Sequence, residues 1–391
     1  MLFRSTLGVA LLAVPVGLVL GAALAERLVD RAGSRVLCRI CGVASCAVLV
    51  TPGLAHTLPE LMAGLFVIGV VGGTLDVSQN AQGVRVEAAY GRPVMTSMHA
   101  CYSLGAILGS LAGGGLAWAG VALFPSLAAV GVAGALIDGT AGRWLLPGKP
   151  GPGTREVSLG ESSSVPSGAP LESSPVPSGT PLMEDSPDAR RRVRRLVLAL
   201  AVLGVCGLVG EGAAGDWSAV YLKDNLGTSA GLAALGFSAF SVTMTVGRGV
   251  GDRLIRRFGV VSVIRVGGLI ATAGLALALA TPVPAVAIAG FTAFGAGLSI
   301  VVPQVFAAGG RADPFRPGSG LAKVVGLGYA GLAAGPAVIG LVATNIGLHL
   351  ALLIPLALAA WIAVAAPALR VPQAMSQLAD PSARGTAAGI P

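Results

Sequence analysis

Charged side chains are scarce in this sequence. Asp, Glu, Lys and Arg make up 11% of it, against about 25% in soluble domains. A soluble fold of 391 residues cannot keep so little charge on its surface, so that class is excluded. Cysteine is also sparse, at five residues. The number is odd and most lie inside apolar runs, which excludes a disulfide framework. Cys38 and Cys41 form a Cys-x-x-Cys pair, but no second pair or neighbouring histidine completes a metal site. The pair reads as helix packing, and no metal or cofactor is expected. Catalytic motifs are absent in substance. Gly227-Thr-Ser229-Ala-Gly231 has the letters of a nucleophile elbow, but an apolar helix and a short loop precede it where a strand belongs; Ser229 reads as a helix cap. Gly142 through Gly148-Lys149 has one residue too many for a phosphate loop, and Pro150 stands where a magnesium-binding hydroxyl is needed. Neither an enzyme nor a nucleotide-driven pump is expected.

What the sequence has in abundance is apolar length. A bilayer core about 30 Å thick takes about 20 apolar residues per helix. Runs of that kind lie near 5–25, 36–56, 61–83, 93–117 and 121–145, and again near 196–221, 229–250, 260–280, 284–306, 321–343 and 347–368. The net charge of +8 sits in short loops between these runs, which is membrane topology and not a nucleic-acid-binding face. Basic residues alternate along the loops. Those after 25, 83, 145, 250, 306 and 368 carry nearly every Lys and Arg, whereas those after 56, 117, 280 and 343 carry none. The positive-inside rule places the basic loops and the C-terminus in the cytoplasm and the N-terminus outside. A signal-peptide reading of residues 1–25 would put Arg27, Arg31, Arg35 and Arg39 on the wrong side.

Residues 147–194 interrupt the pattern. They are rich in Ser, Pro and Gly, with a near-repeat of Val165-Pro-Ser-Gly and Val176-Pro-Ser-Gly, and end in a basic cluster from Arg190 to Arg195. Such a composition reads as a disordered linker. The expected organisation is an N-terminal bundle over 1–146, this cytoplasmic linker, a six-helix bundle over 195–370, and a cytoplasmic tail over 371–391.

The two bundles match at a constant spacing of 226 residues, the interval from Arg27 to Arg253. Arg31, Arg39 and Arg85 pair with Arg257, Arg265 and Arg311; Gly33, Gly69, Gly105 and Gly109 pair with Gly259, Gly295, Gly331 and Gly335. Parallel repeats of membrane helices mark transporters, with the substrate site between the repeats. The same spacing gives the span 196–221 a partner just before Met1. The first bundle is therefore expected to hold five helices to the second's six, and a further apolar stretch of about 20 residues, long enough to span, is expected upstream.

The segment Ala25-Glu-Arg-Leu-Val-Asp30-Arg31-Ala-Gly33-Ser-Arg35 resembles the cytoplasmic signature of the major facilitator superfamily, with Glu26 where the family has glycine. Its second copy, Gly251-Asp-Arg253-Leu-Ile-Arg256-Arg257-Phe-Gly259, has Arg256 in place of the acid. Within the superfamily, Leu75-Asp76-Val-Ser-Gln-Asn80, His99-Ala-Cys-Tyr-Ser-Leu-Gly105, Glu211-Gly-Ala-Ala-Gly-Asp216-Trp217-Ser-Ala-Val-Tyr221 and Gly328-Tyr-Ala-Gly-Leu-Ala-Ala-Gly-Pro336 are similar to the fucose–proton symporter-like branch. The resemblance implies an all-α, two-bundle fold of about eleven spans, five plus six, with that family's first helix missing. It also implies gating at Asp30, Arg31, Gly33, Arg253, Arg257 and Gly259, and proton coupling at Asp76.

Ionisable groups inside a bilayer cost about 2.5–3.5 kcal/mol on insertion scales and mark functional sites. Asp76 lies well inside its span, Glu211 deep in another, and His99 at a depth like that of Asp76, so the three are proton-coupling candidates. Asn80 and Gln82, one to two turns beyond Asp76, and Asp216, Trp217, Tyr221 and Gln304 are candidates to hold a polar solute. Trp217 and Tyr221 also suit an interfacial belt, and Gln304 a packing contact. Pro303 is expected to break the span 284–306 and free backbone groups. The function expected is secondary active transport of a small solute such as a sugar, proton-coupled and by alternating access, in a monomer spanning the cell membrane. Export of a drug or metabolite, and a non-transporting sensor or inactive truncated transporter, are the alternatives.

Overall fold

The computed structural model describes residues 12–147, 186–314 and 316–370. The start of the first expected span, most of the expected linker and the expected tail lie outside the described residues. Within them the chain is nearly all helix, without strands. The first half comprises α1 (Ala13–Ala32), α2 (Ser34–Leu54), α3 (Leu58–Tyr90), α4 (Met95–Trp118) and α5 (Leu123–Trp144). The second comprises α6 (Pro187–Asn225), α7 (Ala230–Phe258), α8 (Val260–Ala280), α9 (Pro284–Ala312), α10 (Pro317–Ile346) and α11 (Leu348–Leu369). Nine of these segments are long and apolar enough to cross a membrane.

Local chemistry sets their ends. Thr57 caps α3 in a capping box with Glu60, with Pro59 in the first turn. Ser229 accepts from the Leu232 N–H at the start of α7, the capping role read from the sequence. The α1–α2 and α7–α8 junctions turn on glycines at φ 81° and 77°, Gly33 and Gly259, a region that L side chains avoid. One boundary differs from expectation: α6 begins at Pro187, within the stretch read as linker. Ser186 caps it through the Ala189 N–H, and arginine is a good helix former, so the basic cluster forms the exposed foot of the helix.

The segments pack as two bundles. In the first, α3 packs against α1 and α2, and α2 against α5; in the second, α6 packs against α10 and α9, α8 against α9 and α11, and α7 against α9. The bundles meet chiefly along α1–α10 and α4–α7. The repeat holds at atomic detail. A Cβ on Gly69 would lie 2.2 Å from the Val14 carbonyl oxygen, and one on Gly295 would lie 2.4 Å from that of Phe240. Val14 and Phe240 are themselves one repeat apart, so the same helix pair touches at the same place twice. Only glycine permits such an approach of two backbones.

Candidate functional site

Two sets of polar contacts cross the bundle interface. The first lies at the basic end of the helices, where a helix N-terminus offers unpaired N–H groups and a partial positive charge. Asp252 of α7 meets the first turn of α4: its Oδ1 accepts from the Thr96 N–H at 3.1 Å and its Oδ2 from the Ser97 N–H at 2.8 Å. The Ser97 hydroxyl also donates to it. Reciprocally, α1 meets the start of α10. Asp30 Oδ1 accepts from the Gly318 N–H at 3.3 Å, and Glu26 accepts from the Ser319 hydroxyl at 2.6 Å, with Lys323 Nζ 3.5 Å away. Burial raises the Asp30 carboxyl above its ordinary range, opposed by that N–H. Glu26 and Asp252 are one repeat apart, as are Ser97 and Lys323. Glu87 completes this layer, accepting from the Val94 and Met95 N–H groups and pairing with Arg311 Nη1 at 2.5 Å.

The second set lies deeper. Pro303 has no N–H to bond the carbonyl of Ser299, four residues back, and α9 breaks into Pro284–Leu298 and Val301–Ala312. The freed Ser299 carbonyl accepts from Arg248 Nε at 3.4 Å. The rest of that guanidinium bridges the bundles: Nη2 donates to Glu211 Oε1 at 2.9 Å and Nη1 to the Ser103 hydroxyl of α4 at 3.0 Å. Arg248 is buried. Beside this pair, Asp76 Oδ1 accepts from Asn80 Nδ2 at 3.2 Å. The Tyr329 hydroxyl of α10 lies by the same carboxylate. Tyr102 lies within electrostatic reach of Asp76, Glu211 and Arg248.

The structure thus brings Asp76, Asn80 and Glu211 to the interface. His99 contacts the Met95 carbonyl through Nδ1 at 3.1 Å and meets Phe306 edge-on. Gln82 Nε2 donates to Ser34 and to the Leu146 carbonyl, inside the first bundle. Gln304 is buried and donates to Thr96 at 3.1 Å, in the layer capped by Asp252. Tyr221 is buried against Phe291 and His349 in the second bundle, at the start of a π-turn. Trp217 packs over Gly340, and Asp216 is exposed. Of the residues expected to gate, Asp30 makes a cross-bundle contact, Gly33 and Gly259 form the junctions, and Arg257 lies over Phe258. Sequence reasoning missed Glu26, Glu87, Ser103, Arg248, Asp252 and Tyr329. Arg248 carried a readable signal, a lone charge inside the apolar run 229–250.

Ionisable groups enclosed between two repeated bundles of apolar helices, as the described residues show, are the architecture of a membrane transporter. The comparisons with known proteins agree. The Major Facilitator Superfamily model matches residues 4–314. The uncharacterized transporter y4wD of Sinorhizobium fredii is 32% identical over 373 residues, covering 94% of this chain and 89% of that one. Among solved structures, FucP in its outward conformation superposes with a TM-score of 0.66 at 17% identity, over 94% of this chain and 90% of that one. The proton:xylose symporter XylE gives 0.67 at 14% identity, over 92% and 85%. The chain belongs to the major facilitator superfamily.

Proposed function

We propose that the protein is a proton-coupled carrier of a small polar solute, a sugar being the first class to test, working as a monomer by alternating access. The observation that carries this reading is the Asp76 carboxylate at the bundle interface, bonded to Asn80 of its own helix and with the Tyr329 hydroxyl of the opposite bundle beside it. A carboxyl enclosed there changes charge by taking or releasing one proton, and its contact across the interface changes with it. The Glu211–Arg248 pair, tied to Ser103, supplies a second cross-bundle link beside the first. Glu211 is the second proton-coupling candidate, and His99 the third. Hydroxyl-rich solutes suit such a lining of carboxylate, guanidinium and phenol. FucP, described as a fucose:proton symporter, and XylE, described as a proton:xylose symporter, share the fold and support the choice of sugars.

In this reading the basic loops face the cytoplasm, and the Asp252, Asp30 and Glu26 contacts hold the cytoplasmic side closed. Opening there breaks helix-capping bonds that re-form on return. Reconstituted vesicles carrying an internal pH indicator test the proposal with a panel of sugars. A solute that moves protons together with itself supports it. A carrier that moves sugars with no proton flux refutes the coupling, and efflux of amphiphilic cations in place of sugars favours the exporter alternative.

A further inference from the structure

One cavity of the described residues lies away from the bundle interface. It is a groove of about 620 Å³ between α2 and α5 at the basic end, lined by Arg35, Arg39, Asp138 and Gly139 with Val36, Ile40 and Val43. None of the contacts between bundles uses it. Arg35 and Arg39 are one helical turn apart, so both guanidinium groups share a face. Arg35 Nη2 donates to the Arg143 carbonyl at 3.1 Å, which ties the turn at the end of α5 to α2. Arg143 in turn stacks over the exposed Trp144 ring, 4.9 Å from its centroid. Asp138, in the deeper wall, lies against Gly42 and receives the Cys46 thiol at 3.8 Å.

Along α2, Val36, Ile40 and Val43 continue from the arginines toward the membrane centre, all exposed. The groove is therefore amphipathic in one direction: cationic at the interface, aliphatic above it. Two arginines against one carboxylate leave a net positive mouth. Guanidinium groups pair with phosphate oxygens through two parallel hydrogen bonds, and tryptophan favours the headgroup level. Basic pockets between membrane helices at this depth hold acidic lipid headgroups.

We infer that this groove binds one anionic phospholipid, its phosphate held by Arg35 and Arg39, its acyl chain along Val36, Ile40 and Val43. Phosphatidylglycerol has the required chemistry: one phosphate charge on a headgroup with no cation of its own to oppose the arginines. A soluble phosphate meets the arginines alone and leaves the aliphatic wall uncovered, so the lipid is the better fit.

The full chain in nanodiscs provides the test, read by native mass spectrometry of retained lipid and by quenching of tryptophan with brominated lipids. Phosphatidylglycerol is expected to be retained at least fivefold over phosphatidylcholine and phosphatidylethanolamine, and brominated phosphatidylglycerol to quench more than its brominated counterparts. Arg35→Gln/Arg39→Gln abolishes the preference, and Arg194→Gln/Arg195→Gln, at the exposed foot of α6, retains it. Asp138→Asn, which removes the acid and leaves the arginines, keeps or tightens binding and serves if the double variant misfolds. Equal retention of the three lipids overturns the inference. So does a preference that survives loss of both arginines, weakening by Asp138→Asn, or displacement of the lipid by millimolar glycerol phosphate.

Discussion

Helices α4 and α10 occupy equivalent places in the two halves, yet the same glycines have different surroundings. On α10 a Cβ at Gly331 would lie 2.8 Å from Val205 Cγ1 of α6, and one at Gly335 would lie 3.1 Å from Val209 Cγ1. On α4 a Cβ at Gly105 or Gly109 would meet nothing within 4 Å, and Leu104, Leu108 and Leu111 are exposed. The polar residues diverge likewise. Asp76 has Val302 as its repeat partner, and Arg248 has Ala22; both partners are buried apolar residues. Ser103 and Tyr329 are one repeat apart, yet one bonds a guanidinium and the other faces a carboxylate. The repeat thus holds where α1 packs on α3 and α7 on α9, and lapses on the glycine faces of α4 and α10 and among the polar side chains at the interface. A symmetric frame carries an asymmetric site, which in the proposed reading lets a proton and a solute be handled by different groups.

The strongest way to break this contrast is at Arg248. Arg248→Gln strands Glu211 without its partner, and removing one member of an enclosed ion pair costs about 3–5 kcal/mol. A thermal melt in detergent shows a large drop, partly recovered in the double variant with Glu211→Gln. Ala22→Val, at the apolar repeat partner, tests only packing and leaves the Glu211–Arg248 pair intact.

A smaller effect separates α10 from α4. Gly331→Leu forces a branched side chain into Val205 and costs about 1–3 kcal/mol by overpacking. Gly105→Leu projects into open space and stays within about 0.5 kcal/mol of the parent. Equal destabilisation of the two variants in the same melt refutes the structural contrast.

The smallest effect concerns the basic end. Asp252→Asn removes the charge from its bonds to Thr96 and Ser97 and weakens that cap by about 1.5 kcal/mol. Hydrogen exchange at those two amides accelerates, while Arg253→Gln leaves them unchanged. If Arg253→Gln has the larger effect, the cap is misassigned.

How much of this was legible follows from the kind of interaction involved. The helical class, the two-fold repeat and the junction glycines Gly33 and Gly259 were readable, because apolar length and recurring punctuation are local properties of sequence. The break of α9 was readable from Pro303, although the turn falls at Ser299–Ile300, one turn earlier, where the unbonded carbonyl lies. Glu26 was legible only as a departure from a family signature; its bond to Ser319 on α10 links residues 293 positions apart. Asp252 and Glu87 were hidden for the same reason, since their partners are backbone N–H groups at helix starts, which leave no residue-type signal. Gln82 and Gln304 drew attention as polar residues in apolar runs, and such residues serve helix packing as readily as a ligand.

The central claim is that Asp76 couples solute movement to protons, and Asp76→Asn in sealed vesicles with an imposed pH gradient tests it most directly. An amide retains hydrogen bonding to Asn80 and to solute but cannot carry the proton. The account predicts that the variant loses accumulation against a gradient and still exchanges labelled for unlabelled solute at equilibrium. Full accumulation by Asp76→Asn would contradict it.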